Sequence, residues 1–166
     1  MYLAFHDDLA DPQSADPVAR ESTRLACVAP SSGQITMSMK WWMANVPGYN
    51  IPGRDNLELF GTDDEEEATR IDAEIAARSL IGPGDPPVFM TYGMAPGDPV
   101  PSDPAEARGW KIHHVVHGLE LMRLCAQHGV EAHLKYPGVE APYDSATAFL
   151  IAKLKGEVSA GTESSD

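Results

Sequence analysis

The sequence predicts an α/β protein organised around a short parallel sheet, and three observations carry that expectation. Two β-rich runs, near residues 87–93 and 130–136, are separated by a helical run at residues 113–128. A helix of that length crosses a sheet, so the two runs become parallel neighbours in a βαβ unit. A third β-type run near residues 25–30 stops at Pro30 and the polar turn S-S-G-Q. Finally, Asp98 lies just past the run at 87–93, and open α/β sheets place ligands and catalytic groups beyond the carboxyl ends of their strands.

A chain of 166 residues is one domain's worth, large enough to bury a core. Its composition, 43% hydrophobic and 22% charged, is that of an ordinary globular domain rather than a disordered or membrane-spanning one. A formal net charge of -13 would be repelled by a nucleic-acid backbone or an anionic membrane, so neither is expected as a partner. No apolar run reaches transmembrane length, and the N-terminus carries no basic flank with a long apolar core. Cys27 and Cys125 are too few for a disulfide framework, which makes a reducing cytoplasm the expected compartment. No cofactor is expected.

Taken in order, residues 1–9 offer an apolar stripe of Tyr2, Leu3, Phe5 and Leu9, with no capping residue in front of it. Residues 11–20, rich in Pro, Asp and Ser, form a loop. Residues 37–44 carry Trp41 and Trp42, and such large apolar side chains mark core packed on the sheet rather than a ligand platform. The Gly- and Pro-rich residues 47–54 form a loop. The acidic run at 63–67 starts a helix with Thr62 as its cap, and the acids favour the positive end of the helix dipole. Ile71, Ile75 and Leu80 give that helix its apolar face.

Residues 82–87 break the chain ahead of the next strand, and the long proline-studded loop at 93–109 has the character of a functional or partner-facing segment. In the following helix Leu119, Leu121, Met122, Leu124 and Cys125 form the buried side, and Gly129 ends it. Residues 146–154 form a last helix with Phe149, Leu150 and Leu154 inward. The domain therefore runs over 1–155, followed by a disordered tail at 156–166.

The run 85–143 carries a P-P-V strand ending in Y-G, then D-P-V-P, then L-x-x-L ahead of G-V, then a strand closing on Y-P-G. In that order these motifs resemble the C-terminal part of an α/β-hydrolase of the bacterial esterase and lipase type. The matching positions include Pro86, Pro87, Val88, Tyr92, Gly93 and Asp98, followed by Val100, Pro101, Leu121, Gly129, Val130, Tyr136, Pro137 and Gly138. Upstream, D-P-V-A-R-E-S-T-R-L-A-C-V is similar to the segment leading into the preceding strand, and M-Y-L-A-F-H-D-D-L to the helix after the nucleophile elbow. The resemblance implies a partial α/β-hydrolase fold of about three parallel strands.

It also implies that Asp98 is the triad acid, which orients a histidine and stabilises its imidazolium. Two departures accompany it. Ala141 stands where the family's catalytic histidine belongs, and no G-x-S-x-G elbow occurs in the chain. The expectation is a hydrolase-like fragment, inactive alone, whose elbow, oxyanion loop and first strands lie upstream of Met1, as would any export signal of the parent. A small ester is then a substrate only of the complete parent protein. The alternative is a non-catalytic binding or assembly module that meets a partner through residues 93–109 and the Trp41–Trp42 region. An unpaired sheet edge, or the apolar N-terminal helix, is expected to make a homodimer.

Other constellations weigh less. His113 and His117, spaced four apart, would share a helix face near Cys125 and His128, but without a third placed ligand no metal site is expected. His113 or His114 swinging toward Asp98 would rebuild part of a triad. Ser31 and Ser32 follow the first strand, but nothing signals an elbow there, so they read as a polar turn. His133 reads as a satisfied structural histidine.

Overall fold

A computed structural model describes residues 1–156 of the chain; the tail expected from residue 156 onward lies, apart from Gly156, outside the described residues. Strand β1 (Val88–Thr91) pairs in parallel with β2 (Ala132–Lys135), with Phe89 opposite His133 and Thr91 opposite Lys135. On the other edge of β1, Val28 and Ser31 make parallel bridges to Val88 and Thr91. The order is therefore residues 28–31, β1, β2, all running the same way.

The expected third strand is two isolated bridges rather than a continuous ladder, and Pro30 explains the gap. The amide of Val28 donates to the Pro87 carbonyl and that of Phe89 to the Val28 carbonyl, at 3.0 Å each. Two residues on from the bond between Phe89 and Val28, the amide of Thr91 donates to the Pro30 carbonyl at 3.2 Å and that of Ser32 to the Thr91 carbonyl at 2.8 Å. The missing rung between them needs an N–H at position 30, which proline lacks.

Helices cover both faces of this sheet, as parallel strands require. Val88, Met90 and Tyr92 turn to one face, where they meet Leu121 and Cys125 of helix α7 (Val116–His128). Ala4 and Phe5 of α1 (Tyr2–Phe5), Ile35, and Ala77 of α5 (Ala77–Leu80) complete that core. Phe89 turns to the opposite face and stacks on Phe149 of α8 (Ala146–Leu154), with centroids 5.5 Å apart. Tyr143 stands edge-on to both rings. Gly129, at φ 69°, closes α7 in the left-handed conformation that glycine adopts without strain. Leu154, expected inward, is 70% exposed, and Ala152 takes the buried position on α8.

Several boundaries move for identifiable reasons. The N-terminal helix ends at Phe5 because Asp8 draws the chain away: its carboxylate accepts from the amides of Ala10 and Thr23 and from the Ser22 hydroxyl. Helix α2 (Met39–Asn45) starts at the Ser38 cap, and Trp42 is buried with its indole N–H donating to the Thr36 carbonyl at 2.9 Å. A short helix, α3 (Asn56–Phe60), is opened by an Asp55–Glu58 capping box. Helix α4 (Glu65–Ile75) is capped by Asp64, not Thr62, whose hydroxyl instead accepts from the Asp64 amide and donates to Glu67.

The inward face of α4 also differs from its apolar pattern, since Ile75 is 43% exposed while Ala68 and Asp72 are buried. Asp72 accepts from the Thr36 hydroxyl at 2.6 Å and the Met37 amide at 2.8 Å, which is what lets a carboxylate occupy a core position. The second half of the 93–109 loop is helix α6 (Pro104–Ile112), with Asp103 as its cap and Pro104 in its first turn. Among the described residues, no helix is long and apolar enough to cross a membrane.

Candidate active site at the carboxyl end of the sheet

Three segments leave the sheet at its carboxyl edge: residues 31–33 after the bridged segment, 92–98 after β1, and 136–143 after β2. The Tyr92 hydroxyl ties the first two together by donating to the Gly33 carbonyl at 2.6 Å, and burial pushes its phenol pKa up. Asp98 is exposed at the end of the second. Its carboxylate accepts from the Ala95 amide at 2.8 Å and its own amide returns a bond to the Ala95 carbonyl, so the acid closes the turn that presents it.

His114 is buried beside this turn. Its Nδ1 accepts from the Val116 amide at 3.2 Å, which places the neutral ring's proton on Nε2. That Nε2 has no hydrogen-bond partner among the described residues. Burial holds the His114 pKa below its ordinary value, against the nearby Asp98 carboxylate, which favours the charged form. A ring in this state is a hydrogen-bond donor and not a general base, because its lone pair is already held by the backbone.

His113 is exposed, and its Nδ1 lies 3.0 Å from the Ser32 carbonyl oxygen. It caps α6 and stands outside α7, so it does not share a helix face with His117. His117 is wholly buried between Trp41 and Trp42, each with its ring centroid 5.1 Å away. Neither of its nitrogens has a hydrogen-bond partner among the described residues, and burial, with like charge from His114 and His113, pushes its pKa down to about 4. Among the described residues, no group of three or more His, Cys, Asp or Glu is placed to hold a metal ion.

Ser31 is exposed and Ser32 takes a φ of 50°, the only non-glycine left-handed residue among those described. No hydrogen bond links either hydroxyl to a histidine among the described residues, so the turn offers no nucleophile and base pair in this geometry. Ala141 packs at the margin of the Phe89, Tyr143 and Phe149 cluster. The structure thus brings Asp98 and His114 into electrostatic reach and sets His113 against the backbone of Ser32, and it assembles no triad.

A second polar network lies on the α8 face. Glu131 bridges His133 Nε2 at 2.8 Å and Lys153 Nζ at 2.6 Å. Burial raises the Glu131 pKa, but its hydrogen bonds to Lys153 and His133 outweigh that and leave it lowered. Strand alternation, which puts residues 131 and 133 on one face, was the available signal for half of this network; Lys153 comes from a distant helix and gave none. Comparison with known protein families, with curated proteins and with solved structures finds no match.

Proposed function

We propose that the chain is the acid-bearing part of an α/β-hydrolase-type sheet, of the esterase and lipase class, and that it hydrolyses no ester by itself. The observation that carries this reading is the parallel order of residues 28–31, β1 and β2, with Asp98 beyond the carboxyl end of the middle strand. In this reading Asp98 is a triad acid without its histidine. The His114 lone pair is held by a backbone amide, and among the described residues no hydrogen bond joins His113 or His114 to the hydroxyl of Ser31 or Ser32.

The same reading assigns a role to the outer edge of the bridged segment. Among the described residues, the amides of Cys27, Ala29 and Ser31 have no acceptor, whereas those of Val28 and Ser32 are bonded to β1's side. A bare edge of this kind takes another strand. We place the homodimer contact here rather than at α1, because Ala4 and Phe5 are spent in the chain's own core. Light scattering tests it: the wild type should be dimeric at high concentration, and Ala29→Pro, which removes an outward amide without touching a bond to β1, should be monomeric. A wild type that stays monomeric throughout would refute the edge contact.

A further inference from the structure

A cleft of about 610 Å³ opens between α2, the 47–54 loop and α6. That is the volume range of small-molecule sites. Its apolar wall comes from Met39, Trp42, Tyr49, Leu59 and Ile112. Its charged lining comes from Arg54 of the loop and Arg108 and Lys111 of α6, and no Asp, Glu or His lines it. The chain carries 25 acidic residues against 12 Lys and Arg, so three of the scarce cations around one acid-free cleft depart sharply from the rest of the surface.

These three cations are also unpaired. Among the described residues none of them makes an ion pair or a side-chain hydrogen bond, whereas Arg70, Arg123 and Lys153 are each engaged with a carboxylate. Like charges around one cleft raise the local positive potential, which an anion entering the cleft relieves. The loop side of the cleft is held in place. Tyr49 pins the loop, since its hydroxyl accepts from the Gly53 amide at 2.8 Å and lies 3.0 Å from Met39 Sδ. Gly48, at φ +68°, sets the left-handed turn that starts this loop, and a Cβ there would stand 3.2 Å from Val100 Cγ2.

We propose that this cleft binds a singly charged carboxylate carried on an apolar body, of the arylalkanoate kind. A phosphate site of the helix-N-terminus type draws on backbone amides. Here the amides of Ala105 and Glu106 already donate to Asp103, and Pro104 has none to give. The cleft therefore supplies side-chain cations and apolar surface without an amide cradle, which suits a carboxylate on a hydrophobic stem. Asp98, His113 and His114 do not line it, so the proposal is independent of the hydrolase reading.

Calorimetric titration of the full chain with 3-phenylpropionate, its neutral amide and phenyl phosphate tests the proposal. The acid should bind saturably and weaken as salt is raised, and the amide should bind about tenfold more weakly. Arg108→Gln and Lys111→Gln, both at solvent-reachable positions, should each cost about tenfold for the acid and leave the melting temperature unchanged. If either variant unfolds, the acid-to-amide ratio on the wild type decides alone. Equal affinity for acid and amide, absence of binding, or tighter binding of phenyl phosphate than of the acid would overturn the proposal.

Discussion

Gly118 of α7 rests directly on the ring of Tyr92: a Cβ at position 118 would stand 2.5 Å from Tyr92 Cε2 and 2.7 Å from Leu134 Cδ1. The helix axis can lie this close to both strands only because residue 118 has no side chain. In an open helix, Gly→Ala gains about 1 kcal/mol through propensity. Here overpacking wins, since moving a ring and a core leucine costs about 1–3 kcal/mol. Gly118→Ala is therefore expected to lower stability in urea unfolding, and a more stable variant would contradict the packing described.

His117 makes the fold sensitive to acid. Its folded pKa is about 4 against an ordinary 6.5, so above pH 6.5 the ring is neutral in both states and contributes no pH dependence. Between 6.5 and 4 the unfolded chain takes up a proton that the buried ring refuses, and stability falls with pH by up to about 3 kcal/mol. Below 4 the loss is complete. His114, shifted the same way, adds to it. His117→Leu should flatten the dependence of the unfolding midpoint across this window; an unchanged slope would show that the ring is not buried neutral.

Asp72 is the polar anchor between α4 and the chain entering α2. Asp72→Ala strands the Thr36 hydroxyl and the Met37 amide, and the expected cost is about 2–3 kcal/mol. Asp72→Asn keeps one acceptor and should cost less. Equilibrium unfolding of both variants checks the order, which would be reversed if the carboxylate were merely a tolerated buried charge.

Asp98 is expected to matter little for folding. It is exposed, and its one side-chain bond closes a local turn, so Asp98→Ala should cost less than about 1 kcal/mol. A loss of several kcal/mol by thermal unfolding would mean that the acid holds up the fold rather than standing ready for a partner group.

The sheet and its helices were legible where pattern and period were strong. The runs around 88 and 132 gave β1 and β2, and residues 146–154 gave α8, because apolar side chains at fixed spacing record the core that buries them. The third strand was legible in place but not in kind, since one proline decided which rung was lost. What sequence could not show was long-range pairing. Asp72 lies off the apolar face that Ile71, Ile75 and Leu80 suggest, yet Thr36 and Met37, far away in the chain, make it core. Likewise the histidine spacing suggests a shared helix face for His113 and His117, whereas His114 and His117 are buried, His117 between two tryptophans. The cations of the cleft are spread over residues 54, 108 and 111, and only the fold gathers them.

Labelling of the purified chain with a fluorophosphonate, read by intact mass, tests the central claim most directly. The geometry around Asp98, in which no serine hydroxyl among the described residues is bonded to a histidine, predicts no adduct. A stoichiometric adduct, mapped to Ser31, Ser32 or any other hydroxyl, would contradict it and show that the carboxyl end of this sheet activates a nucleophile.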